Sequence, residues 1–302
     1  MDSRGFRVSP KIEKNQWGSL CWSCAHLPSV RDRPSQTFSS GHGDRPNHNF
    51  PPALTAPCEI RSIYPIKLEE HNVADAATGI SRPIHLLRGP GGQPHRLCLF
   101  LDGELYRREM KAVSVLSALL DPGIRPHMTF AFLDHGNLKA REQDYTCNEN
   151  FGRYVVEKVI PWLQHEIPGL HPGQHLIGGL SLSGLMSAWL ALRYPDHFRY
   201  CLSQSGAFWW NDEFFTKTAP QRAPTEARFW LSVGDQETEV EETPPGALPE
   251  VSQIVGVKNA CRVLKSLGAT AHYHEYHGGH SMLCWRDELN HALTWLLADS
   301  NP

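Results

Sequence analysis

Residues 178 to 184, GGLSLSG, constrain this chain more than any other segment. They lie between an apolar run beginning His175-Leu-Ile-Gly and a helix-forming run, Leu185 to Tyr194. Strand, sharp turn and helix form the setting in which a G-x-S-x-G pattern becomes a nucleophile elbow. Such a turn crowds its own backbone, so small residues must flank the central serine; Gly179 and Gly184 meet that need, with Ser183 where the second glycine usually stands. The serine side chain is pushed out over the strand end. It becomes a useful nucleophile only if a histidine takes its proton and a carboxylate holds that histidine.

Both partners follow Ser181 in the order acid, then histidine. An apolar strand, Ala227 to Val233, runs into Gly234-Asp-Gln-Glu237. The strand-like Ala269 to Tyr276 runs into His277-Gly-Gly-His280, with a helix expected from about Ser281. Glu237 and His280 are thus placed just past strand ends, where an orienting acid and a general base belong. Asp235 also follows Gly234 and is the alternative acid; position in the loop favours Glu237.

Strands alternating with helices continue on both sides of the elbow. Leu97 to Leu101 and Met128 to Leu133 read as buried strands, Ile60 to Ile66 and Ile84 to Leu87 as earlier ones. Glu104 to Leu120 reads as a helix, and Phe151 to Glu166 as an amphipathic one with Val155, Val156, Val159, Ile160 and Leu163 on one face. This alternation predicts one α/β domain, a mostly parallel sheet covered by helices on both faces. In such a sheet the carboxyl ends of the strands line the ligand crevice, which gathers Ser181, Glu237, His280, the Asp102-Gly103 loop and Trp209-Trp210.

Four segments resemble the enterochelin esterases, α/β-hydrolase-fold serine esterases of the esterase D type that cut ester bonds in catecholate siderophores. They are LFLDGELY (99 to 106), REQDYTCNENF (141 to 151), GGLSLSGLMSAWLALRYPDHFRYCLSQSGAFWW (178 to 210) and GGHSMLCWR (278 to 286). The resemblance runs from roughly residue 60 to 297. It implies Ser181 as nucleophile, His280 as general base and then acid, and Glu237 as orienting carboxylate. It also implies an oxyanion hole made by the backbone N–H groups of Leu182 and Glu104. A catecholate substrate would find aromatic faces in Trp209, Trp210 and Trp285, and polar contacts in Arg141, Asn148 and Arg286. Other readings of Trp209 and Trp210 as core residues, and of Arg141 as a loop brace through Asp144, stay open. Ser205 reads as structural or pocket-lining.

The expected activity is therefore carboxylic ester hydrolysis through an acyl-enzyme, without cofactor or metal. Alternatives are a general carboxylesterase, a feruloyl-type esterase, a thioesterase or an acyltransferase on the same scaffold, and a catalytically silent binding protein. A net charge of −3 gives no footprint for nucleic acid or an anionic membrane. No apolar run approaches the ~18 residues of a membrane span, and the first 20 residues lack the apolar core of an export signal, so a cytoplasmic location is expected. Residues 1–55 are rich in Ser, Pro, Gly, Arg, Asn and His and read as a disordered or loosely attached leader to an esterase domain over 56–302. Of eight cysteines, Cys21 and Cys24 form a single C-x-x-C, too little for a zinc or redox motif. Cys98, Cys147, Cys201, Cys261 and Cys284 read as free buried thiols. The run from His272 to His280 lacks metal-ligand spacing.

Overall fold

The computed structural model describes residues 67–89, 96–120, 128–222, 224–238 and 251–298. The leader read at 1–55, the Cys21/Cys24 pair and the strand read at 60–66 lie outside these residues. Within them, eight strands form one sheet: β1 Leu68–Asp75, β2 Ile80–Arg88, β3 Arg96–Leu101, β4 Met128–Leu133, β5 His175–Leu180, β6 Phe198–Gln204, β7 Arg228–Gly234 and β8 Thr270–Tyr276. Their order across the sheet is β1-β2-β4-β3-β5-β6-β7-β8. The run from β4 to β8 is parallel throughout, and β1 and β2 add an antiparallel hairpin at one side.

The helices are α1 Ala112–Leu119, α2 Leu138–Asp144, α3 Glu149–Tyr154, α4 Ile160–Glu166, α5 Leu182–Arg193, α6 Trp210–Thr218, α7 Gln253–Ser266 and α8 Met282–Leu296. Alternation along the strands explains the two-sided core. Leu97, Leu99 and Leu101 of β3 join one apolar cluster with α3, α5 and α7, while Cys98 and Phe100 join the other with α1 and α8. The sheet is covered on both faces, as the near-continuous apolar strands predict.

Two helices differ from expectation in detail. The helix read over 104 to 120 is broken: a wide turn at Leu105–Glu109 is separated from α1 by Lys111, whose φ is +58°. The helix read over 151 to 166 starts two residues earlier, capped by the Asn148 side chain, and Val155–Val159 is a widened, underwound π stretch joining α3 to α4. Hydrophobic spacing sees the buried face and cannot see either local change of pitch.

The parallel strands end together. Leu101 pairs with Leu133, Leu180 with Gln204, and Gly234 with Tyr276. Their exits therefore form one rim. No described helix is long and apolar enough to cross a membrane.

Candidate active site

Ser181 occupies the tip of the turn between β5 and α5 with φ +54° and ψ −122°. A non-glycine residue held there costs on the order of 1–3 kcal/mol and persists only where its surroundings fix it. Its N–H donates to Gln204 O at 2.9 Å, and its carbonyl accepts from Ala207 N at 3.0 Å and Leu185 N at 3.1 Å. The reason for glycine at 179 is steric: a Cβ there would stand 2.3 Å from the carbonyl oxygen of Ser183. Ser181 is half-buried, at the N-terminus of a twelve-residue helix. The N–H of Leu182 is the first of that helix and has no partner within it, which favours negative charge at this point.

The rim brings Glu237 and His280 together. His280 Nδ1 lies 2.7 Å from Glu237 Oε2. The other carboxylate oxygen, Oε1, accepts from Ser205 Oγ at 2.7 Å, Gly234 N at 2.8 Å and the Tyr276 hydroxyl at 3.0 Å. Burial would raise the Glu237 carboxyl, but His280, Ser205 and the Gly234 N–H outweigh it and hold the group below the usual Glu value. Burial and the neighbouring Glu237 charge push the Tyr276 phenol up, so it stays a donor. With Glu237 on Nδ1, the imidazole carries its proton there and its lone pair on Nε2. The ring stands edge-on to Trp285 at 4.7 Å. Asp235, the alternative acid, is exposed and serves a different partner: it accepts from Gly278 N at 3.0 Å and meets His277 Nδ1 at 2.9 Å.

Glu104 follows Gly103 on the loop leaving β3. That loop is pressed onto β4, since a Cβ on Gly103 would sit 2.6 Å from the Phe132 carbonyl carbon. The Glu104 carboxylate is occupied by His135, accepting from its backbone N–H at 3.1 Å and lying 3.0 Å from its Nδ1. Leu182 and Glu104 belong to loops leaving β5 and β3, which are neighbours in the sheet.

The residues expected to touch a substrate fare differently. Arg141 is turned inward, its Nε and Nη2 gripping Asp102 at 2.7 to 2.9 Å, and Asp144 pairs instead with Arg82 at 2.5 Å. The reading of Arg141 as a brace through Asp144 is thereby corrected, because the buried Asp102 carboxylate claims the guanidinium. Asn148 is spent on capping α3, accepting from Asn150 N and Phe151 N and donating to Gln143 O. Trp285 is 2% exposed, and its indole N–H donates to Ser205 Oγ at 2.9 Å. It backs His280 and offers no free face. Trp209 and Trp210 are half-buried against the core, Trp209 donating to Gln253 Oε1 at 2.5 Å and Trp210 packing edge-on to Phe214. Arg286 is half-exposed and pairs with Asp287.

Ser205, read from the sequence as structural or pocket-lining, holds Glu237 together with Tyr276, a strand-end residue that sequence reasoning passed over. That reasoning also passed over His135, at the exit of β4. The rim argument that selected Glu237 and His280 applies equally to these positions.

Residues 79–296 match the model of the Esterase family, described as "Putative esterase". The chain belongs to this family. Curated proteins similar to this chain include the iron(III) enterobactin esterase of Dickeya dadantii, 29% identical over 217 residues, and that of Escherichia coli K12, 25% identical over 207. The alignments take in 68% and 65% of this chain and 48% of each relative, so the chain spans about half the length of the curated relatives it matches. In fold it is similar to the enterobactin esterase of Shigella flexneri solved in the presence of enterobactin, with a TM-score of 0.68 and 22% identity over 77% of this chain and 60% of that one.

Among the described residues, no three His, Cys, Asp or Glu side chains gather to hold a metal ion. His272 and His274 share one face of β8 and pack with Trp230, His291 and Trp295 as a ring cluster. The described cysteines, Cys98, Cys147, Cys201, Cys261 and Cys284, form no disulfide; all but Cys284 are buried.

Proposed function

We propose that this chain is a serine carboxylic ester hydrolase acting through an acyl-enzyme, with Ser181, Glu237 and His280 as its triad. The observation that carries this reading is the 2.7 Å contact of His280 with a fully engaged Glu237, on the same rim as a serine held at positive φ. Ser181 Oγ attacks the ester carbonyl while His280 Nε2 takes its proton. The carbonyl oxygen becomes an oxyanion and is received by the N–H groups of Leu182 and Glu104. As the intermediate collapses, His280 returns the proton to the leaving alcohol and Ser181 keeps the acyl group. Water then attacks with His280 again as base, the acid is released and Ser181 regains its proton. Glu237 stays ionised throughout, holding the imidazole tautomer and balancing the imidazolium that forms at each step.

The substrate class proposed is a catecholate siderophore ester, free or holding iron. It rests on family membership and on the named activity of the relatives. Trp209, Trp210 and Arg286 are the partly exposed candidates for meeting its rings and anionic oxygens. The test has two arms. A fluorophosphonate should label wild type at Ser181 and leave Ser181→Ala unlabelled; labelling at Ser205 or Ser183 would overturn the triad. A panel of catecholoyl-serine trilactones, aryl esters and acyl thioesters should show the highest kcat/KM for the trilactones, and no preference over a short acyl ester would replace this substrate reading with a general carboxylesterase.

A further inference from the structure

A charged side chain with no solvent exposure lies directly behind the elbow. Asp102 is 0% exposed, and its φ is +55°. Both its side chain and its backbone are held. Its Oδ2 is 2.8 Å from Ser183 Oγ, its Oδ1 is 2.8 Å from His135 Nδ1, and both oxygens accept from Arg141. Its own N–H donates to the Tyr145 hydroxyl at 3.1 Å, and its carbonyl accepts from Leu105 N at 2.9 Å. Burial alone would raise this carboxyl, but Arg141, His135 and Ser183 hold it below the usual Asp range; burial would lower His135, but Asp102 and Glu104 raise it to about 9. The cluster is therefore ionised on both sides at neutral pH.

Ser183 is the residue that links this cluster to the nucleophile turn. Its hydroxyl accepts from Leu180 N at 2.9 Å and stands 2.8 Å from both Leu180 O and Asp102 Oδ2. It has one proton to give, and the carboxylate is the stronger acceptor. The last position of the G-x-S-x-G pattern, where glycine is usual, thus carries a hydroxyl bonded to the loop that holds Glu104. We propose that Ser183 and Asp102, with His135 and Arg141 behind them, are positioning residues that lock the loop of Glu104 to the first turn of α5 and so fix the separation of the two oxyanion donors. The proposal rests on the esterase reading, since it assigns the donors to Leu182 and Glu104. It explains why a buried charge is maintained here although an apolar residue would need no compensation. It also explains why the loop residue beside Gly103 takes a left-handed conformation.

The experiment compares wild type with Ser183→Gly, Ser183→Ala and His135→Gln. Each is assayed for hydrolysis of p-nitrophenyl acetate and for inhibition by an aryl trifluoromethyl ketone. Ser181 Oγ adds to the ketone carbon, its proton passes to His280, and the carbonyl oxygen becomes an oxyanion like that of the reaction. Loss of a whole oxyanion donor costs about 10²–10³ in rate; loosening both should cost about 10-fold or more. Ketone affinity and kcat should fall in parallel across the variants while KM for the ester stays within about twofold. The Ser183→Ala, His135→Gln double variant should lose less than the product of the single losses, because both act through Asp102. Unchanged ketone affinity in Ser183→Gly and His135→Gln, with thermal unfolding like wild type, overturns the proposal. So does a fall in kcat without a matching fall in ketone affinity. A wild-type protein that neither hydrolyses the ester nor reacts with a fluorophosphonate would instead overturn the esterase reading on which it stands.

Discussion

Glu288, on α8, is 6% exposed, and its two oxygens are unequally treated. Oε1 accepts from Ser232 Oγ at 2.6 Å and Gln204 Nε2 at 2.7 Å, while Oε2 has no hydrogen-bond partner. Burial raises this carboxyl from 4.5 to about 7, against the pull of Ser232 and Gln204 and with a push from the Glu237 charge. In the unfolded chain the group ionises near 4.5, whereas the folded protein keeps the proton until about 7. The native state thus binds the proton more tightly, and stability falls as pH rises through that window. At about 1.4 kcal/mol per pH unit, the span amounts to about 3 kcal/mol, absent below 4.5 and complete above 7. Glu288→Gln keeps the shape and removes the ionisation. Urea denaturation, followed by tryptophan fluorescence at pH 4.5 and at pH 8, measures the stability of each protein at both values. The stability of the variant minus that of wild type should be about 3 kcal/mol more favourable at pH 8 than at pH 4.5. A difference that stays constant across the two pH values would refute the argument, whatever the absolute stabilities.

Other outcomes follow from the same contacts. Glu237→Gln should lower kcat by on the order of 10²-fold or more toward an activated ester, since it no longer stabilises the His280 imidazolium, while Asp235→Asn should stay within about threefold; equal losses in steady-state assays would return Asp235 to the acid role. Gly179→Ala should cost at least about 3 kcal/mol in denaturant unfolding, or prevent folding, because its methyl would meet the Ser183 carbonyl oxygen. Arg141→Ala should leave the buried Asp102 charge undercompensated and destabilise the protein by about 3–5 kcal/mol, with Arg141→Lys only partly restoring it; a loss confined to KM would return Arg141 to the substrate. Arg286→Ala should reduce kcat/KM for an anionic catecholate ester more than for a small neutral ester, measured side by side.

The rim was legible because strand ends announce themselves. Apolar runs at 97 to 101, 128 to 133, 175 to 180, 227 to 233 and 269 to 276 each stop at a glycine or polar residue, and parallel pairing aligns those stops. That Ser181, Glu237 and His280 stand on one rim could be read from that pattern alone. Arg141, Asn148 and Trp285 could not, because residue type says that a side chain can bind an anion, an amide or a ring but not what it has already bound. Arg141 is claimed by Asp102, 39 residues away, and Trp285 by Ser205, 80 residues away. Ser183 was legible only as a departure from glycine. Its use depends on a carboxylate 81 residues earlier, and no local spacing carries that information. The left-handed residue at Lys111 escaped for a similar reason, since a helical apolar period passes through a break without change.

The sheet order carries a consequence for how this site fails. Ser181 leaves β5, with strands on both sides, whereas His280 leaves β8, which among the described strands pairs with β7 alone and is mostly half-exposed. Strands at a margin open at lower free energy than central ones. Fraying there would carry the general base away from Glu237 and the serine while the interior stayed intact. On warming or in mild urea, hydrolysis should therefore be lost before the bulk of the far-ultraviolet circular dichroism changes, and should return on dilution without any global refolding step.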